Sequence, residues 1–364
     1  MYPRTRLAVA ASVAAIGTLA SNAASASCAS YIASYNACST DSCRATYRSS
    51  YPECFVSGDS ASGSVQISGT SVQQIVSISN AVSGRMLALG AGGPRKTAAV
   101  EPVTGMAAGN GAQKFNVWGN VTNTNAKYGG NSAIGNTDKT TSHVLNTVVG
   151  LDYGFAPNMV VGLSGALDTG RGSANNAGTS TQGYSVAPYF GWQIDQNLAL
   201  DVTTGLGDGK YSTASASEAN SQRTFTALNL TYSRWMDNLQ LNAKGGYITA
   251  KEKYGDMKNN GITQGNTSTS NRLDQFRVGV DAGYWMNGVM PFAGLAYTTD
   301  SRSFSSAAGL QDTSRLGKSA AVLSLGVNFF NLGKDVTAGL LYTMESGRSN
   351  GKGDSFGGNV SFRF

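Results

Sequence analysis

The most regular pattern in the chain is an alternation of apolar and polar residues within short segments. In residues 198–206, Leu198, Leu200 and Val202 occupy even positions, whereas Asp201 lies between them. The same alternation recurs in residues 145–153, 239–247 and 276–284. Because successive side chains of a strand point to opposite faces, each segment predicts a β-strand with one apolar and one polar face.

Short turns and long polar connections alternate between these strands. Turns are predicted where Asn, Asp, Gly or Pro residues cluster, at residues 156–158, 195–197, 237–238, 287–288 and 331–333. The connections are rich in Ser, Asn, Gly and Thr, and cover residues 125–142, 168–182, 210–222, 252–273, 300–317 and 345–353. Five turns and six connections divide the region into twelve strands, and the first strand starts near Phe115.

This arrangement favours a membrane barrel over a soluble β-sandwich. A sandwich also has an apolar face, but it rarely combines midstrand charges with a long connection at every second position. Outer-membrane barrels combine tight periplasmic turns, long external loops and an even number of strands. The sequence therefore predicts an all-β fold over residues 95–364, a 12-stranded antiparallel transmembrane β-barrel in the outer membrane of a Gram-negative bacterium.

Particular residues of the two faces have different predicted roles. Charged residues of the polar faces are expected in the lumen, as a structural network or as determinants of ion selectivity; they are Asp152, Asp201, Lys244, Arg277 and Asp281. An aromatic residue precedes each short turn, and these residues are predicted to form an interfacial girdle; they are Phe155, Trp192, Trp235, Trp285 and Phe330.

The first 26 residues have the features of a secretory signal peptide. Arg4 and Arg6 precede an apolar stretch, and small residues through Ala26 provide a cleavage site. We therefore expect export through the general secretion translocon. A lipoprotein cleaved before Cys28 is the alternative, but Ser25 stands where a lipid-attachment signal has an apolar residue.

All four cysteines lie in the next segment, residues 27–56. In an exported chain, clustered cysteines indicate disulfides. Their nearly symmetric spacing predicts nested bridges, Cys28–Cys54 and Cys38–Cys43, within a small helical hairpin. Zinc binding is the rival interpretation, but the segment has no histidine and no Cys-x2-Cys spacing.

Residues 57–94 form a Ser/Gly linker that contains a helix-forming segment. Ile75, Ile78, Val82 and Met86 recur at helical spacing within residues 72–89, and Gly90 and the residues up to Pro94 end the segment. Two interpretations are open: an amphipathic segment that packs on the periplasmic side, or a helix inside the pore.

Composition and charge predict neither an enzyme nor a cofactor. No dense Lys/Arg cluster accompanies the formal charge of +6, so nucleic-acid binding is not expected. His143 is the single histidine, and the chain has no arrangement of a serine or phosphate-binding motif that would complete an active site with it. No bound metal is expected either.

Taken together, residues 72–364 resemble the autotransporter β-domain of type V secretion. The segment Gly183–Trp192 is similar to that family's fourth strand, and the alternating Val360, Phe362 and Phe364 resemble its signal to the barrel-assembly machinery. In that family a helix threads the pore and links an exported passenger to the first strand. The resemblance implies this role for residues 72–89.

The resemblance also implies a function: translocation or display of the cysteine module at the cell surface, as an unusually short passenger. Asn80 is followed by Ala81, not by the second asparagine of self-cleaving relatives, so we expect the module to stay attached. Outer-membrane lipids and lipopolysaccharide are the expected surroundings of a monomer. Two alternatives remain open, a porin-like pore for small solutes with a periplasmic module and a surface protein whose loops bind partners.

Overall fold

The computed structural model describes residues 115–128, 140–174, 177–213, 217–307, 316–333 and 335–364, together with single positions between 31 and 78. The predicted signal peptide and most of the linker lie outside the described residues. No helix in the described part of the chain is long and apolar enough to cross a membrane.

Fourteen β-strands make up one antiparallel sheet in the described region. They are β1 (Phe115–Tyr128), β2 (Thr140–Ala156), β3 (Met159–Ala174), β4 (Ala177–Gln193), β5 (Leu198–Thr213), β6 (Ser217–Met236), β7 (Leu239–Tyr254), β8 (Lys258–Asn259), β9 (Ile262–Thr263), β10 (Thr269–Tyr284), β11 (Val289–Ser306), β12 (Ser319–Gly333), β13 (Val336–Ser346) and β14 (Gly351–Arg363). Twelve are long, and β8 and β9 form a two-residue hairpin within the connection from β7 to β10.

The sheet closes on itself, because β14 pairs with β1 along its whole length. Phe115 and Phe364 join the two ends of the seam: the Phe364 amide donates to the Phe115 carbonyl at 2.9 Å. Closure leaves no unpaired edge among the twelve long strands, which is a requirement for backbone inside a bilayer. The predicted twelve-stranded antiparallel barrel is thus confirmed.

Several strands are longer than predicted at their loop ends. β3 continues to Ala174 and β4 begins at Ala177, although residues 168–182 were expected to form a loop. The ladder continues because Ser, Thr, Asn and Gly residues can pair in a strand whose two faces both meet water. At the other end, the predicted 331–333 turn is shifted, since β12 reaches Gly333 and β13 starts at Val336.

The predicted short turn at residues 287–288 has the backbone that its Asn-Gly sequence favours. Asn287 and Gly288 both have positive φ values, 48° and 95°, between β10 and β11. Such values at both central residues are typical of a type I′ hairpin turn, and they explain the Asn-Gly pair. The β8–β9 hairpin repeats this solution at Asn260 and Gly261.

The two faces of the wall differ in burial as the alternation predicts. In β6 buried and exposed residues alternate from Ser217 to Met236. Exposed apolar side chains cover the outside of the barrel, for example Leu206, Val280 and Leu295. The residues that alternate with them along each strand point inward, where a cluster of buried side chains forms the core. The core therefore lies inside the barrel, and the outer face is suited to lipid.

The barrel lumen as the candidate functional site

Bulky aromatic side chains on the inner wall lie flat against glycines of neighbouring strands. A Cβ atom on Gly150 would lie 2.2 Å from Cε2 of Trp118, and one on Gly162 would lie 2.2 Å from Cζ of Tyr189. A third pair of this kind is formed by Gly205 and Phe225. Glycine in a strand often marks such a close approach. The absence of a side chain at these positions gives the inward rings their space.

The two rings on β1 and β4 belong to a hydrogen-bonded network near the periplasmic end. Trp118 Nε1 donates to the Tyr189 hydroxyl at 2.8 Å, and that hydroxyl donates to Oδ2 of Asp152 at 3.2 Å. Asn116 donates to the same carboxylate oxygen at 2.9 Å and accepts from Ser361 of β14 at 2.6 Å. The network ties the barrel seam to β2 and β4.

A buried ionic cluster spans five strands, β3 to β7, nearer the external end. Arg223 on β6 donates through Nη1 to Asp168 on β3 and through Nε to Glu252 on β7, both at 2.6 Å. Ser221 also donates to Glu252, at 2.7 Å. The guanidinium passes over Gly183, where a Cβ atom would lie 2.4 Å from Nη1. On the other intervening strand, β5, a Cβ atom on Gly209 would lie 2.8 Å from Nη2, so glycines on both strands allow this arginine to reach β3.

The predicted lumenal charges all lie on the inward face of their strands. Asp152 belongs to the seam network, and Asp201 accepts from Asn229 at 2.8 Å. Lys244 contacts Asp281 at 2.9 Å, and Asn242 donates to the same carboxylate. Arg277 lies on the same inward face of β10 as Asp281. Of these five residues, Lys244 and Asp281 form an ion pair with each other.

Three buried charges of the inner wall, Asp168, Arg223 and Glu252, are absent from the residues predicted to be lumenal. Asp168 and Glu252 fell within predicted loops, and Arg223 directly follows one. The available signal was the alternation itself, because all three have the parity of the polar face when β3, β6 and β7 are extended. No local sequence pattern predicts that they contact one another, because Asp168 and Arg223 lie three strands apart around the barrel.

A second ionic cluster holds two external connections together. Arg348, which lies between β13 and β14, donates to Asp300 at 2.7 Å, to Glu345 at 2.6 Å and to the Gly317 carbonyl at 2.8 Å. Burial lowers the pKa of Arg348, but its hydrogen bonds with Glu345 and the charges of Glu345 and Asp300 raise that pKa above its ordinary value. The arginine therefore stays protonated and ties residues 316–318 to the inner wall.

One described position of the predicted pore segment lies inside the barrel. Ile78 has helical backbone and is fully buried. It belongs to the same apolar cluster as inward side chains from the neighbouring strands β1 to β7 and β10, among them Trp118, Val148, Phe225 and Leu273. The remaining residues of 72–89 lie outside the described residues.

The amino-terminal module contains the Cys38–Cys43 disulfide, with Cα atoms 5.7 Å apart. Backbone is helical at Tyr35 before the bridge and at Tyr47 after it. Cys28 and Cys54 lie outside the described residues, so their predicted bridge stays a prediction.

The predicted aromatic girdle needs correction. Phe155 and Trp192 point outward, but Trp235 pairs with the inward Gln240, and Phe330 occupies an inward position opposite Thr337. Trp285 stacks on Phe330 with ring centroids 5.3 Å apart. A position next to a turn determines the depth of a residue in the membrane. It does not determine the face, because a shift of one residue along a strand moves the side chain to the opposite face. Outward aromatic side chains at this end are instead Phe115, Tyr284, Phe362 and Phe364.

The residues predicted to mark the barrel for assembly lie at the seam. Phe362 and Phe364 are exposed on the outer face, and Val360 shares their parity in β14. Within the described part of the chain, no group of three His, Cys, Asp or Glu side chains is placed to hold a metal ion.

Comparison with known proteins places this geometry in a family. The family model of the autotransporter β-domain matches residues 117–343. None of the curated proteins compared with the chain matches it.

Solved structures of three translocator domains have the same fold. The translocator domain of NalP from Neisseria meningitidis is 13% identical, with a TM-score of 0.57 over 70% of this chain and 90% of that one. The β-domain of BrkA from Bordetella is 16% identical, with a TM-score of 0.54 over 69% of this chain and 100% of that one. The transport unit of AIDA-I from Escherichia coli is 14% identical, with a TM-score of 0.53 over 71% and 92%. The barrel is therefore a secretion domain of the Gram-negative outer membrane and not a catalytic domain. The chain belongs to the autotransporter β-domain family.

Proposed function

We propose that this barrel carries its own amino-terminal cysteine module through the outer membrane and displays it, still attached, at the cell surface. The observation that carries the proposal is the complete burial of Ile78 among inward side chains of the barrel. Residue 78 lies between the module and β1 in sequence, so a lumenal segment at 72–89 would connect the two.

Chain direction supports an external position for the module. Phe115 begins β1 at the barrel end where the short turns lie, which is the periplasmic end in outer-membrane barrels. A segment that crosses the lumen once and then reaches Phe115 must run from outside to inside. The residues before it, including Cys38 and Cys43, would then be on the external side.

Burial of the inner-wall charges also supports a filled lumen. Glu252 and Arg223 are almost completely inaccessible, although they lie on the inward face of the barrel wall. A twelve-stranded wall with an empty lumen would leave such side chains in contact with water. The burial of Ile78 supports a contribution of the segment before β1 to this filling.

Surface labelling of intact cells tests the display. An epitope tag inserted after Asp59 should react with antibody on intact cells and should be removed by added protease. The matched control carries the same tag after Gln196, in the turn between β4 and β5, and should react only after the outer membrane is permeabilised. A protected Asp59 tag on a folded barrel would contradict the proposal and place the module in the periplasm.

Conductance separates the lumenal segment from the module. The full chain in planar bilayers should show little steady current, and a variant lacking residues 72–89 should show a large one. Equal currents from the two proteins would rule out residues 72–89 as the segment that fills the lumen. A deletion of residues 27–56 is the control, since it removes the module and should leave the current low.

A further inference from the structure

Charged side chains appear on the outer wall immediately beyond its apolar band. On β10 the outward residues from Tyr284 to Phe276 are apolar or aromatic and exposed. Nine residues at about 3.4 Å each, tilted by about 40°, span roughly 23 Å, which is close to the height of a lipid-facing band of about 25 Å. The next outward residues toward the external end are Asp274 and Arg272. They therefore lie at the external boundary between lipid and water.

Three cations meet at this boundary on β7 and β10. Lys251 lies directly opposite Arg272 in the β7–β10 register, and Lys253 is the next outward residue of β7. All three are exposed. Like charges directly opposite each other destabilise a strand pair. An anion bound between Lys251 and Arg272 would offset that repulsion.

Asp274 orients the arginine without neutralising the cluster. Its carboxylate accepts from Arg272 Nε at 2.9 Å and from Nη2 at 3.1 Å, and the Tyr247 hydroxyl donates to it at 3.0 Å. The salt bridges found among the described residues include neither Lys251 nor Lys253. Three cations and one carboxylate leave a net charge of +2. The Arg272 side chain is therefore held at the place where Lys251 lies opposite it in the register.

The same arrangement recurs on the opposite side of the barrel. Along β14 the outward residues Phe356, Asp354 and Lys352 follow one another toward the external end, in the order of Phe276, Asp274 and Arg272 on β10. Lys352 lies directly opposite Lys127 on β1, and Asp354 accepts from Asn125 at 2.9 Å. In the ring of twelve long strands, the β14–β1 pair is five strand positions away from the β7–β10 pair, which is close to half a turn.

The opposite end of the barrel has a different charge. Its described turns carry Asp195, Asp237 and Asp335, and the outward cation nearest to them on β6 is Arg234. The two cation clusters are thus at the end that meets the outer leaflet. In Gram-negative bacteria that leaflet consists of lipopolysaccharide, whose lipid A carries phosphate groups.

We propose that the two outer-wall clusters bind lipid A phosphates, one at Lys251, Lys253 and Arg272 and the other at Lys127 and Lys352. A guanidinium and two ammonium groups match a phosphate in charge and in hydrogen-bond donors. The exposed Phe276 and Phe356 lie directly below, where the acyl chains of the same lipid would contact them. Each site therefore offers a polar and an apolar part in the order in which lipid A presents them.

Lipid binding to the full-length protein tests this assignment. The protein is placed in phosphatidylcholine nanodiscs, and binding of bisphosphorylated lipid A is measured by native mass spectrometry and titration. Lys251→Gln, Lys253→Gln and Arg272→Gln together should weaken one site roughly a hundredfold, because each cation near an anionic surface contributes about a factor of five. Lys127→Gln with Lys352→Gln should weaken the second site by roughly twenty- to thirtyfold.

Matched controls separate the proposal from general effects. Arg234→Gln removes a cation from the periplasmic end of the same wall and should leave binding unchanged. A variant with Lys251→Arg, Lys253→Arg and Arg272→Lys should bind within about threefold of the original, because the charges remain. Heat-dependent gel migration shows that each variant contains a folded barrel.

Three results would overturn the assignment. The first is unchanged lipid A affinity in the triple glutamine variant. The second is equal affinity of the original protein for dephosphorylated lipid A, which would assign binding to the acyl chains alone. The third is equally tight retention of phosphatidylglycerol, which would make the clusters general anionic-lipid contacts.

Discussion

Two ionic sites on the inner face of β7 differ in how far their side chains are exposed to water. Glu252 is 0% exposed and its partners Arg223 and Asp168 are 4% and 3% exposed in their side chains. Lys244 lies on the same face of the same strand, yet 46% of its side chain is exposed, and its partner Asp281 is 15% exposed. The lumen is therefore dry beside Glu252 and wet beside Lys244.

An inward position alone does not determine how much a charge contributes to the stability of the barrel. A hydrated pair such as Lys244 and Asp281 has little net effect on stability, because water solvates each partner almost as well. A buried cluster loses that solvation and depends on its internal pairing. Within the described residues, Asp168 Oδ2 and Glu252 Oε2 accept no hydrogen bond, so Arg223 supplies much of the compensation that these carboxylates receive.

The largest effect is expected from Arg223→Met. The substitution leaves two carboxylates buried without their cation, and we expect the free energy of unfolding to fall by about 3–5 kcal/mol. Urea-induced unfolding of the purified barrel in lipid vesicles, followed by tryptophan fluorescence, measures the change.

A compensated variant is the control for this prediction. Arg223→Met combined with Asp168→Asn and Glu252→Gln removes the uncompensated charges and should recover most of the loss. If the single substitution costs less than about 1 kcal/mol, the cluster is solvated like an exposed pair and the contrast with Lys244 disappears.

A smaller effect is expected where the dry side of the lumen is packed by rings. In Gly150→Ala the new Cβ atom would lie 2.2 Å from the ring of buried Trp118, which is held by its hydrogen bond to Tyr189. Such overpacking is expected to lower the free energy of unfolding by about 1–3 kcal/mol. The same urea titration detects it.

Gly165→Ala is the matched control, because a Cβ atom on Gly165 would have no neighbour within 4 Å. It should change the free energy of unfolding by less than about 0.5 kcal/mol. Equal losses of unfolding free energy at Gly150 and Gly165 would show that the packing on the inner wall accommodates an added Cβ atom as easily as the outer face does.

Much of this architecture follows from local pattern. Alternation alone assigned Asp152, Asp201 and Asp281 to the inward face, because the period of a strand requires no knowledge of its neighbours. Alternation did not assign Trp235 to the inward face, because the sequence does not define to within one residue where β6 ends. It also could not bring Arg223 to Asp168, because that contact depends on barrel closure and on Gly183 lying between them. Ile78 had the right spacing for a helix, but spacing leaves open what the helix contacts.

The smallest effect is expected at the wet site, with Lys244→Gln. The ammonium is half exposed, so we expect the free energy of unfolding to change by less than about 1 kcal/mol at low salt. Added salt screens exposed charges over about 3 Å at 1 M, so the remaining difference from the original protein should vanish there. The loss in Arg223→Met should persist at the same salt concentration, because buried pairs are screened much less. A loss at Lys244 that is as large as that at Arg223, and equally insensitive to salt, would mean that water does not reach this part of the lumen in solution.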